Sequence, residues 1–194
     1  MDRRAERGEA TRAALVRAAR ELFRERGYAA VGTNEIVQRA GVTRGAMYHH
    51  FPDKRELFRA AYEETERELV ARLAERVVTI DDPWDALVAG IKSFFDLTSD
   101  PKLMRMGLVD GPAVLGWSEW REVGNRYGLE ATAAALQRAK DAGVLRDADV
   151  HRVAHLVLAA LGEAGLMLAN AQDPEAERER VEAALMTMLD GLRA

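Results

Sequence analysis

Cysteine is absent from the 194 residues, which removes disulfides, iron-sulfur clusters and thiolate zinc sites and leaves no mark of an oxidising compartment. A cytoplasmic protein is the simplest expectation. Histidine is scarce: four residues, in two local pairs, offer little for the convergent nucleophile and base, or metal cluster, that an enzyme needs. The first residues, MDRRAERGEATRAAL, carry charge throughout and no apolar run, so they do not read as a secretory signal. The longest apolar-looking run, VAHLVLAALGEAGLMLANA at 153–171, holds His155, Glu163 and Asn170. A lipid-facing helix seldom tolerates these, so the run reads as a buried protein helix and no membrane partner is expected. Also missing is any useful window that alternates apolar and polar residues with period two, which argues against strands.

What is present is helical periodicity along almost the whole chain, and the expected class is all-α with about nine helices. Leu15, Ala18, Ala19, Leu22 and Phe23 form one apolar stripe on a helix of roughly 9–26, closed by Gly27. Asp82-Pro83, Asp100-Pro101 and Asp173-Pro174 are helix starts, Asp capping and Pro occupying the first turn. Asp53 opens a long helix of about 54–79 through a capping box with Glu56. The segment DGPAVLGW, 110–117, reads as the clearest interior loop. Helices of about 118–142, 149–170 and 174–191 follow. Charge divides the chain: residues 1–60 hold 13 Lys and Arg against 8 Asp and Glu, a net of +5, and the rest hold 15 against 24, a net of −9. A basic end paired with an acidic remainder suggests that the first faces a polyanion.

The decisive stretch is TNEIVQRAGVTRGAMYHHF, 33–51. Thr33 is placed to cap a helix of about 34–40 whose inward residues are Ile36, Val37 and Ala40. Gly41 ends that helix in the left-handed region, and Thr43 caps the next one almost at once, so the pair forms a helix-turn-helix unit over about 32–51. With Met47 turned inward, Gly45, Tyr48 and His49 lie roughly 100 to 160° away from it. A helix face bearing Gly, Tyr and His is poor stability design, since interior Gly alone costs about 1 kcal/mol relative to Ala. Close approach of a DNA duplex explains it: Thr43, Arg44 and Gly45 would face base edges, Arg44 with the fork that pairs with guanine. Tyr48 and His50 would donate to phosphates, and Lys54 begins the following helix, where an anion is favoured. Taken singly, Tyr48 and the histidines also fit the bland description of ordinary half-buried residues.

The segment AARELFRERGYAAVGTNEIVQRAGVTRGAMYHHFPDKRELFRAAYE, 18–63, resembles the DNA-binding domain of TetR-family transcriptional regulators without a gap. The family's tyrosine, second histidine and lysine stand at Tyr48, His50 and Lys54. The resemblance implies a three-helix DNA-binding domain over 1–53, joined by a long fourth helix to a helical ligand-binding and dimerisation domain over 54–194. It implies Thr43, Arg44, Gly45, Ala46 and His49 near bases, and Thr33, Asn34, Tyr48, His50 and Lys54 near phosphates of a double-stranded operator. A homodimer reading a palindrome is expected through the helices of about 149–170 and 174–191, whose Leu, Ala, Met and Gly content permits close approach. Burial of these faces inside one subunit is the alternative.

Aromatic and methionine side chains gather between 84 and 127. Trp84, Phe94, Phe95, Met104, Met106, Trp117, Trp120 and Tyr127, with His155, are candidates to line an apolar pocket for a small-molecule effector, although such stripes are more often plain core. His151 and His155 are spaced i, i+4 as in zinc sites, but no third ligand stands nearby; neither a metal nor a cofactor is expected. The functional expectation is a ligand-responsive repressor, with a small helical enzyme or a non-regulatory binding module as the alternative.

Overall fold

The computed structural model describes residues 3–194. Among them run nine helices, with a single isolated β-bridge between Leu145 and Arg193. They are α1 (Arg3–Arg26), α2 (Thr33–Ala40), α3 (Arg44–His50), α4 (Lys54–Val77), α5 (Pro83–Thr98), α6 (101–115), α7 (117–141), α8 (Val150–Asn170) and α9 (Pro174–Asp190). Two of them are not uniform: α6 winds as a π-helix over Arg105–Asp110, and α7 does so over Asn125–Leu129.

The helix starts follow local chemistry. Asp82 Oδ1 accepts the N–H groups of Trp84 and Asp85, both at 2.9 Å. Asp100 accepts from Lys102 at 2.9 Å and Asp173 from Ala176 at 3.2 Å, so all three Asp-Pro starts behave as caps. Each such cap contributes about 1 kcal/mol. Asp53 caps α4 by accepting the Glu56 N–H at 2.8 Å, and Asp149 caps α8 through the Arg152 N–H at 3.1 Å.

Three boundaries differ from the sequence reading. Helix α1 is already formed at Arg3, ahead of the expected start near residue 9, and runs through Gly8. Thr33 is not a cap but the first residue of α2; Gly32 precedes the helix, and the Glu35 carboxylate reaches back to its N–H at 3.5 Å. The segment 110–117 is not a loop: Gly111–Leu115 is helical, and Pro112 stands just after the π-helical turn of α6. Gly111 serves packing there, since a Cβ would stand 2.8 Å from Cδ1 of Trp120. Only Gly116, at φ +81°, interrupts the helical run.

The chain divides into two compact units, one of residues up to Thr65 with Arg105–Trp120, the other of Glu66–Met104 with Arg121–Ala194. In the first, Leu15, Leu22 and Phe23 of α1 meet Ile36, Met47, Phe51 and Leu57 in a buried core. Aromatic rings stiffen it: Phe58 lies 5.3 Å from Phe23 and 5.2 Å from Tyr28, both edge-on. Each fully buried side chain of this size contributes about 1.5–3 kcal/mol. The core of the second unit joins Trp84, Leu87, Ile91 and Phe95 of α5 to Leu136, Val157, Leu161, Val181, Leu185 and Leu189. Helix α8 is long and apolar enough by composition to cross a membrane. It buries one face, Ala154, Val157, Leu161, Ala164 and Gly165, and leaves Leu156 and Met167 exposed. The expectation of a buried helix therefore holds for one side, because the core of this unit covers a single stripe.

Candidate functional site

Two helices joined by a three-residue turn present the first candidate surface. Gly41, at φ +68°, donates to the Gln38 carbonyl at 3.2 Å, and Val42 donates to that of Val37 at 3.0 Å, closing α2 in a left-handed cap. Thr43 Oγ1 then accepts the Ala46 N–H at 3.2 Å and starts α3. Met47 is fully buried and Phe51 nearly so, which turns Thr43, Arg44, Gly45, Tyr48 and His49 to solvent. Ala46 and His50 are half-buried between those faces.

The outward side chains are organised across both helices. The Arg44 guanidinium lies 5.7 Å from the centre of the Tyr48 ring. Hydrogen bonding from Arg44 first, and from Thr33 at the head of α2 second, holds the Tyr48 phenol below its ordinary pKa. Thr33, Arg44 and Tyr48 thus share one surface, with Asn34 exposed beside Thr33. A Cβ added at Gly45 meets only Thr43 Oγ1, at 4.0 Å. The protein itself does not need glycine there. The rings of His49 and His50 meet edge-on at 5.2 Å, and His50 turns toward α1, where a Cβ on Gly8 would lie 3.8 Å from its Cε1.

Lys54 is placed otherwise than expected. Its ammonium donates to the Tyr28 carbonyl at 2.6 Å and sits 4.0 Å over the Tyr28 ring. Burial lowers its pKa, opposed by the charge of Asp110. Lys54 is therefore a fastener between the α1–α2 connection and α4, and any phosphate contact needs that side chain to turn outward.

The segment 105–120, read from sequence as partly loop, proves to be a clasp on this unit. Asp110 accepts the Tyr28 N–H at 3.0 Å, and Arg105 donates to the Arg26 carbonyl at 3.0 Å. From α4, Arg55 donates to the carbonyls of Val114 and Leu115 at 3.2 and 3.0 Å and pairs with Glu119. Arg59 pairs with the same carboxylate at 2.7 Å. In the sequence, only the i, i+4 spacing of Arg55 and Arg59 on one face of α4 hints at a shared acid.

The second candidate is a cavity of about 310 Å³ in the other unit, between the later turns of α4, α5, α7 and α8. Its walls are apolar, including Leu69, Leu73, Leu87, Ile91, Phe94, Leu158 and Leu161, with Glu66, Thr132 and Arg138 as polar members. The space exists because Ala74, Ala86, Gly90, Gly128, Ala131, Ala134 and Ala135 point at it with little or no side chain. Of the residues expected to line a pocket, Phe94 stands in this wall. Trp84 and Phe95 are core, Met104 is buried, and Tyr127 and His155 are half-buried elsewhere. Met106, Trp117 and Trp120 belong to the first unit, where Trp120 Nε1 donates to the Gly107 carbonyl at 2.8 Å and Trp117 is exposed. The stripe of small residues on α7, not the aromatics, was the sequence signal for the cavity. His151 is exposed, and among the described residues no three His, Cys, Asp or Glu side chains converge as a metal site.

One chain that holds both a helix-turn-helix unit with an open outward face and a helical unit with an apolar cavity has the make-up of a class of bacterial regulator. Residues 15–61 match the family described as bacterial regulatory proteins, tetR family, and residues 84–192 match the tetracyclin repressor-like C-terminal domain. The chain belongs to the TetR family. It is similar over its whole length to the crystal structure of a TetR-family transcriptional regulator from Pectobacterium atrosepticum, with TM-score 0.85, 32% identity and coverage of 100% of this chain and 98% of that one. The structure of RolR in complex with the ligand resorcinol is similar at TM-score 0.69 and 25% identity, over 95% and 89% of the two chains. Among curated proteins, the transposon Tn10 TetC protein of Escherichia coli is 31% identical over 119 residues, 61% of this chain and 60% of that one. The match thus spans about three-fifths of that relative's length.

Proposed function

We propose that the chain is a cytoplasmic, ligand-responsive repressor that binds a palindromic operator as a homodimer and is released from it by a small-molecule effector. The observation that carries this reading is the outward face of α3, where Arg44 and Tyr48 are held together and Gly45 leaves open space that the fold does not use. Arg44 would read a base edge, Thr43, Gly45, Ala46 and His49 would lie against the major groove, and Thr33, Asn34, Tyr48 and His50 would contact phosphates. The functional boundary falls near residue 53, with 1–53 reading DNA and 54–194 serving effector binding and dimerisation.

Dimerisation through α8 and α9 is supported by their exposed apolar side chains, Leu156, Met167 and Met188, beside small exposed residues such as Ala159, Ala183 and Ala184. Such a face packs closely against a second copy. The 310 Å³ cavity supports an effector site, as does the resorcinol bound by the similar RolR. An effector that weakens operator binding 10- to 100-fold needs only about 1.4–2.7 kcal/mol of preference for the non-binding arrangement. Helix α4 and the clasp of Arg55 and Arg59 on Glu119 are the natural route for that preference.

Gel retardation of the fragment upstream of its own gene tests the reading. Sequence-selective retardation at moderate salt is the expected outcome; folded protein that retards all DNA equally, or none, sinks it.

A further inference from the structure

The cavity of the second unit carries more chemistry than its size. Helix α7 turns Ala131, Ala135 and Arg138 toward it at helical spacing, so the guanidinium stands on the same face as the small residues that open the space. Ala131, Ala134 and Arg138 are exposed, which sets the mouth there, whereas Leu87 and Ile91 form a buried floor. The two charged wall residues differ in state. Glu66 already has an interaction within the protein, whereas Arg138 makes no ion pair or side-chain hydrogen bond among the described residues. The Thr132 hydroxyl donates to the Gly128 carbonyl at 2.8 Å, so its proton is committed and it offers a ligand only an acceptor. The one unengaged charge in the wall is a cation at the rim of an apolar chamber.

We propose that this cavity binds single-headed anionic amphiphiles, an apolar body of up to about ten non-hydrogen atoms in the chamber and a carboxylate on Arg138 at the mouth. The planar guanidinium takes a carboxylate through two parallel N–H donors, while the chamber floor rejects a second charge. The assignment stands on the cavity itself; only its consequence for DNA rests on the regulator reading above.

Titration calorimetry of the full chain with octanoate, octanol and octylamine, one tail with three heads, tests it. Octanoate is expected to bind about tenfold tighter than either other probe. Arg138→Gln should bring octanoate down to the level of octanol without changing octanol, and Arg138→Lys should restore part of the difference. Gly90→Leu, at a position where a Cβ meets only Val77 at 3.8 Å, fills the chamber and should weaken octanoate and octanol together. Equal affinity for the three heads, tighter octylamine, no binding of any probe, or octanoate binding indifferent to Arg138→Gln or Gly90→Leu each overturns the proposal. Operator retardation is read separately. Octanoate that binds through Arg138 and leaves the gel shift unchanged refutes the effector reading and not the head-group assignment.

Discussion

Gly45 on α3 and Gly90 on α5 both leave room beside the backbone, but the room lies on opposite sides of the protein boundary. At Gly45 the space is outside, on a face of α3 bearing Arg44, Tyr48 and His49. At Gly90 it is inside, one wall of a 310 Å³ chamber. Either glycine costs its helix about 1 kcal/mol relative to alanine. Where a fold accepts such a cost without a positive φ or a close neighbour to require it, the space belongs to something else. On the proposed function, the first vacancy is kept for a large, rigid, charged partner and is surrounded by polar side chains. The second is kept for a small ligand with an apolar body, and its walls are mostly Leu, Ile, Val and Ala.

The largest expected effect breaks the first unit outright. Phe58 is fully buried against Phe23 and Tyr28, and Phe58→Ala should cost about 3–5 kcal/mol in urea unfolding and remove DNA retardation. A loss below about 1 kcal/mol contradicts a core packed around Phe58. Next come the outward side chains. Arg44→Ala should cost about 1–3 kcal/mol at one base position per half-site, whereas Tyr48→Ala should weaken all sequences alike; equal, sequence-blind losses from both refute the division of roles.

The glycines sharpen the comparison directly. Gly45→Ala should raise stability by about 0.5–1 kcal/mol while weakening operator binding, and a gain in both removes the reason given for that glycine. The smallest effect is a pH dependence. Hydrogen bonding from Arg178 first, with further help from Arg76, holds the Asp96 carboxyl below its ordinary pKa. A depressed folded pKa means the stabilisation is present above the unfolded value, near 3.9, and is lost as pH falls through the lower folded value. The pair is half exposed, so it contributes about 0–1 kcal/mol. Acid unfolding of Asp96→Asn should therefore be slightly less steep below pH 4 than that of the parent; identical curves remove the linkage.

The two units also differed in how much could be read from sequence. In the first, turn chemistry is local: Gly41, Thr43 and Asp53 act on neighbours within four residues, so the helix-turn-helix unit and its outward set were legible. Lys54 was not, because its partner Tyr28 lies 26 residues away and nothing near position 54 announces it. The clasp of 105–120 is hidden for a related reason. Gly111 and Pro112 look like loop formers, but one is there to admit Trp120 and the other stands just after the π-helical turn of α6. In the second unit the aromatics, apart from Phe94, do not mark the cavity. Large side chains fill space, and the chamber is made where Gly90, Gly128 and the α7 alanines do not. The apolar face of α8 was visible as composition, yet which half of it the core would cover depended on packing.

The central claim is that two copies of the α2–α3 unit read one operator. Selection of bound duplexes from a random pool tests this most directly. The expected result is enrichment of an inverted repeat with half-site centres about one helical turn apart, or a multiple of it, and Arg44→Ala relaxing the same base pair in each half. Enrichment of a single unrepeated site, or of no sequence at all by folded protein, would contradict it.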